Sequence, residues 1–115
     1  MAGVDYLEGV DLTVDGFYER LASEPDIELT TAQPSAAAFA AAFEAAVADG
    51  ANEILAIVVG SAYSGAVNSA AVAARSVQAR HPTVAIDVFD SGTASFDIAC
   101  AVWAAADAVA AGHDL

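Results

Sequence analysis

Lysine is absent from this chain, and arginine occurs only at Arg20, Arg75 and Arg80. Against 16 acidic residues this leaves a formal net charge of -13, which makes nucleic acid and anionic membrane surfaces poor partners. The acidic excess suits a salt-rich proteome or an ordinary solvated surface equally well, so no function follows from it. Cysteine occurs once, at Cys100 in the apolar stretch IACAVWAA. One thiol builds neither an intrachain disulfide nor a zinc cluster, and a buried, inert side chain is expected there. Neither a metal nor a cofactor is expected. Long apolar runs are missing as well: Glu44, Asp49, Asp97 and Asp107 interrupt every run before about 18 apolar residues accumulate. No membrane span is therefore expected, although the mean hydropathy is +0.53, a value that 31 alanines inflate. Met1 to Val10 is acidic and lacks a basic start and an apolar centre, so a secretory signal is not expected and cytoplasmic residence is the default.

What is present organises around Glu53 to Ala70, EILAIVVGSAYSGAVNSA. The β-branched and aliphatic run Ile54 to Val59 suits a strand buried on both faces of a parallel sheet. A turn rich in small residues follows, and from Ser64 the alanine-rich segment reads as a helix to about Arg80, stopped by His81 and Pro82. Thr83 to Phe89 is a second strand. Two apolar runs joined by a helical crossover of about twenty residues predict an adjacent parallel pair. Upstream, Thr13 is a plausible N-cap for a short helix with Phe17, Tyr18 and Leu21 on its apolar side, ending near Pro25, and Glu28 to Gln33 reads as extended. Pro34 and Ser35 open a further helix whose Phe39, Phe43 and Val47 must be buried and which stops at Gly50. A last helix spans about Ala94 to Ala111, with Phe96, Cys100, Trp103 and Val109 on its apolar side and Trp103 expected in the core. The 115 residues support one domain of the α/β class, a parallel sheet flanked by helices, with no internal repeat or linker.

Strand, hydroxyl-rich loop and helix N-terminus together make a ready anion site, because unpaired amides, a positive dipole end and hydroxyls converge there. Gly60 and Gly65 have P-loop spacing, but Ala66 and Val67 stand where that motif needs Lys and Ser/Thr. The three glycines of a dinucleotide fingerprint are not there either. A carboxylate fits better: it carries one charge on two oxygens and needs neither metal nor lysine. The plain structural alternative is a loop that uses Ser as a cap and Gly for turning, with no ligand. If the two strands lie parallel, the second delivers Asp90, Ser91 and Gly92 beside the first loop, at the edge where such sheets bind ligands.

Three separated motifs resemble one family. Thr31-Ala32-Gln33-Pro34-Ser35 is similar to the Thr-Ser-Gln-Pro-Ser motif of the DegV family of bacterial fatty-acid-binding proteins. Gly60 to Ala70 resembles that family's Ser-Ser-x-Leu-Ser-Gly-Thr-Tyr-Gln-Ser-Ala stretch, and Asp90-Ser91 its following strand-end Asp-Ser. Gly9 to Thr13 with Phe17-Tyr18 is similar to the segment upstream. The resemblance implies a long-chain fatty acid as ligand, with Thr31 and Ser61 donating to its carboxylate and the Ser64-Gly65 turn supplying backbone amides. It gives Ser91 a place beside that loop, and it implies an acyl carrier that presents fatty acid to a fatty acid kinase. Gly60, Ala32 and Ala66 each stand where the family pattern has a hydroxyl residue. The family's first strand, with its own Asp-Ser, and its second domain have no counterpart here, so the chain is expected to represent part of the first domain, and self-association through apolar surface is expected with it.

Two other classes compete. A serine hydrolase would use Ser64 in a strand-to-helix turn with Asp90 and His113 following in the order Ser, Asp, His. The elbow's glycines are alanines at 62 and 66, and His113 is close to the chain end, so no catalytic residue is assigned. A ligand-free interaction module would instead use an exposed apolar face.

Overall fold

The computed structural model of the protein describes residues 1, 3–7 and 9–114. The backbone groups into two units, Met1–Ala32 and Gln33–Leu115. In the first, α1 (Val14–Ser23) begins where the sequence predicts: Thr13 is extended and its hydroxyl accepts from the Gly16 N–H at 3.1 Å, with Asp15 at the positive end of the helix. The helix stops just before Pro25, at Glu24. Arg20 donates to the Tyr6 hydroxyl at 2.9 Å and to Glu24 at 3.2 Å. Its guanidinium carbon also lies 5.7 Å from the Tyr6 ring centroid. Phe17 and Leu21 are half-buried, whereas Tyr18, expected beside them, is exposed. Glu28 to Gln33 forms no strand.

The second unit contains α2 (Ala36–Ala48), β1 (Glu53–Val58), α3 (Ala66–Arg80), β2 (Ala85–Asp90) and α4 (Phe96–Ala110). Ser35 caps α2, its hydroxyl accepting from the Ala38 N–H at 3.1 Å, and Gly50, at φ +97, turns the chain out of it. The strands are parallel neighbours as predicted, in register from Glu53 opposite Ala85 to Val58 opposite Asp90. The second strand starts two residues later than expected, because the Val84 N–H is spent on a turn to the His81 carbonyl and the first rung is Ala85 N–H to Asn52 O.

Period-two alternation divides the sheet. Ile54, Ala56, Ile86 and Val88 pack against Phe43, Ala73, Ala74 and Val77 from the helical layer, and Val58 packs with Ala66 and Ala70. Alanine on the inner side of α3 lets that helix lie close to the strands, and Val77 is fully buried, a position worth about 1.5–3 kcal/mol over exposure. Phe43 is buried as expected and Phe39 and Val47 are half-buried.

The other sheet face carries Leu55, Ile57, Asp87 and Phe89, and α4 lies on the β1 side of it. The side of α4 expected to be apolar and inward fails: Trp103 is 58% exposed, and Phe96, Val109 and the Cys100 thiol are exposed as well. The half-buried stripe of α4 is Ile98, Ala101, Ala105 and Ala108, which turns Cys100 and Trp103 away from it. Apolar residues surround this helix almost completely, so spacing alone did not select the inward stripe. Among the described residues no helix is long and apolar enough to cross a membrane.

Candidate functional site

The carboxyl ends of β1 and β2 feed two loops that are joined by backbone. The Gly60 N–H donates to the Thr93 carbonyl at 2.7 Å. A Cβ at Gly60 would lie 2.6 Å from the Gly92 carbonyl carbon and 2.7 Å from the Thr93 nitrogen, so only glycine permits the approach. The first loop then folds back on itself. The N–H groups of Tyr63 and Ser64 donate to the Gly60 carbonyl at 2.9 and 3.2 Å. Helix α3 starts at Ala66, two residues later than predicted, with Gly65 at its cap position and no side-chain cap bond. Ser64 stands just ahead, and its hydroxyl accepts from the Ala66 N–H at 3.2 Å.

Asp90 ends β2 and reaches into both loops. Its Oδ1 accepts from the Ser61 N–H and from the Gly92 N–H, each at 3.0 Å. The Ser61 hydroxyl beside it, followed by these two N–H groups, holds the Asp90 carboxyl below its ordinary value of 3.8, while desolvation opposes them. Ser91 braces the second loop: its N–H donates to the Val58 carbonyl at 3.2 Å, and its hydroxyl donates to the Thr93 carbonyl at 3.2 Å and accepts from the Thr93 N–H at 3.3 Å. From the start of the second unit the Gln33 amide lies over Gly65, where a Cβ would meet its Cδ at 2.8 Å, and donates to the Ser69 hydroxyl at 3.2 Å.

Of the residues singled out by sequence, Ser61, Ser64, Gly65 and Ser91 come together at this edge. Thr31 belongs to the other unit, where it is exposed and borders a hollow of about 870 Å³ also lined by Tyr6, Leu12, Phe17 and Leu29. One of the two amides that the resemblance suggested for a ligand is used internally, Ser64 N–H by the Gly60 carbonyl, and the Ser61 N–H is taken by Asp90. The Ser64 hydroxyl and the N–H groups of Gly65, Val67 and Asn68 have no acceptor among the described residues, and the Ser61 hydroxyl lies beside the Asp90 carboxylate. The α3 N-terminus and the hydroxyls supply the positive potential at this edge. Sequence reasoning brought Asp90 to the edge without giving it a role, and it missed Gln33 as a cover for Gly65.

The hydrolase arrangement gains no support. Among the described residues no hydrogen bond links Ser64 to Asp90 or either to His113, and Asp90 is committed to the loops. No group of three or more His, Cys, Asp and Glu suited to a metal occurs among them.

Comparison with known proteins agrees with this layout. Residues 1–115 match the family model described as "Uncharacterised protein, DegV family". DegV domain-containing proteins of Staphylococcus aureus strains N315 and COL are each 32% identical over 96 residues, covering 84% of this chain and 32% of theirs. The chain thus spans about a third of the length of the curated relatives it matches. A stearic acid-binding protein of Eubacterium ventriosum is similar in structure, with a TM-score of 0.88 at 26% identity over 98% of this chain and 38% of that one. A Thermotoga maritima protein described as revealing fatty acid binding function has a TM-score of 0.78 at 24% identity, covering 89% of this chain and 35% of that one. A DegV family protein of Eubacterium eligens loaded with heptadecanoic acid has a TM-score of 0.71 at 21% identity, covering 84% and 34%. The last two comparisons speak for the fold. A family match along the whole chain, on a parallel α/β fold common to all three structures, makes this chain a member of the DegV family.

Proposed function

We propose that this chain supplies the head-group side of a fatty-acid-binding site, with the carboxylate received by the hydroxyls of Ser61 and Ser64 and the Gly65 N–H at the start of α3. The observation that carries the reading is the convergence of two hydroxyls and a helix N-terminus at the carboxyl edge of a parallel sheet. The stearic acid bound by the Eubacterium ventriosum protein supports the ligand class. Ser91, committed to Thr93, supports the loop. The family motif gives Thr31 a hydroxyl-donor role of its own. On this reading the 115 residues correspond to part of the family's first domain. The protein acts as a cytoplasmic acyl carrier without catalytic chemistry, presents bound acid to a kinase, and self-associates through apolar surface.

Titration of a fluorescent long-chain fatty acid tests the site. Ser61→Ala removes a donor to a charged oxygen, an effect of about 1.5–3 kcal/mol, or roughly ten- to a hundred-fold in affinity. Thr31→Val should weaken binding by a similar factor, and Ser91→Ala by less. The methyl ester of the same acid should bind poorly to the wild type. Circular dichroism shows whether each variant is folded. Equal affinity of wild type and Ser61→Ala, or no binding by the wild type, would overturn the assignment.

A further inference from the structure

The geometry points to Asp90 as a positioning residue for the head-group loop: its carboxylate ties the β1–α3 turn to the β2–α4 turn and so fixes where Ser61 presents its hydroxyl. The inference rests on the fatty-acid reading above and assigns a residue outside its donor set. One oxygen, Oδ1, accepts from Ser61 N–H in the first loop and from Gly92 N–H in the second, each at 3.0 Å. Among the described residues the two loops are otherwise joined by backbone bonds, Gly60 N–H to the Thr93 carbonyl and, at the strand ends, Ser91 N–H to the Val58 carbonyl. The Gly60 approach fixes the start of the first loop, one residue short of Ser61, so the Asp90 contact sets the peptide that carries the Ser61 side chain. It also consumes the Ser61 amide, so what this residue can offer a ligand is its hydroxyl, which lies beside the Asp90 carboxylate.

The same carboxylate carries a cost for an anionic ligand. Asp90 is exposed and has no cationic partner among the described residues, its charge being met by N–H and O–H groups. A second carboxylate received at Ser61 feels that negative charge at short range. Geometry and charge at Asp90 therefore act on binding with opposite signs, and substitutions separate them. Asp90→Asn keeps a carbonyl acceptor of the same reach and removes the charge. Asp90→Ala removes both.

The experiment is a double-mutant cycle on the full chain, read by titration of the fluorescent fatty acid. Asp90→Ala is expected to weaken binding by about ten-fold, the scale of losing a well-placed donor to a charged oxygen. Asp90→Asn is expected to match the wild type or exceed it. In the Ser61→Ala background, Asp90→Ala should add less than about two-fold, because residues acting through one group are non-additive. If Asp90→Ala does not fold, Asp90→Ser, whose shorter hydroxyl does not span both N–H groups, replaces it in the cycle. Equal losses for Asp90→Asn and Asp90→Ala, or full additivity with Ser61→Ala, would overturn the positioning role while the fatty-acid reading stood. Absence of binding by the wild type would bring down both.

Discussion

At Gly60 the two strand-end loops meet so closely that a Cβ would press on the Gly92 carbonyl carbon and the Thr93 nitrogen, backbone atoms with no rotamer to escape into. Gly60→Ala should therefore cost about 1–3 kcal/mol, the range of overpacking, and lower the midpoint of thermal unfolding followed by circular dichroism. An unchanged midpoint would mean that the loops part easily. The sequence marked Gly60 as a turning residue, but its actual reason is a contact with residues more than thirty positions away, which leaves no local pattern. Local chemistry was legible for the opposite reason: Thr13 and Ser35 cap their helices by bonds to N–H groups three residues on. Asp90 lies between these cases. Its place at a strand end could be read from the chain, yet its bond to Ser61 spans 29 positions and appears only once the register is known.

Between elements, α2 and α3 are clasped at one end by Glu44. Its Oε1 accepts from Arg80 Nε at 2.9 Å and Nη2 at 2.6 Å, and its Oε2 pairs with His81 Nε2 at 2.8 Å. The Arg80 hydrogen bonds, then that of His81, hold the Glu44 carboxyl below its ordinary value of 4.5. A depressed folded-state pKa stabilises above the unfolded value, and that contribution is lost as pH falls through the lower, folded one. Unfolding midpoints of the wild type should thus fall as pH is taken below 4.5, and Glu44→Gln should fall less over the same window. Parallel curves would show that the clasp adds nothing, as for many exposed ion pairs. The parallel strand pair was readable from two apolar runs and a helical crossover. The facing of α4 was not, because a helix apolar on nearly every side offers the sheet several equivalent stripes.

For the molecule as a whole, apolar surface and charge pull association in opposite directions. Phe89, on the open sheet face, and Phe96, Trp103 and Val109 on α4 are each at least half exposed, and Phe96 and Trp103 stack edge-to-face at 5.7 Å. Burial of such a face in a second copy would be favourable. The net charge of -13 opposes it by mutual repulsion at low ionic strength. Salt should decide the balance, since the screening length falls from about 10 Å at 0.1 M to about 3 Å at 1 M. Sedimentation at rising protein concentration should show a monomer at low salt and a growing dimer as salt increases. Trp103 is the single tryptophan, so its emission should shift to shorter wavelength in step with the mass. Trp103→Glu should keep the chain monomeric, because it places a further negative charge on the contact face. A dimer that salt dissolves would show that polar contacts hold it. A doubled mass with unmoved Trp103 emission would place the contact elsewhere on the surface.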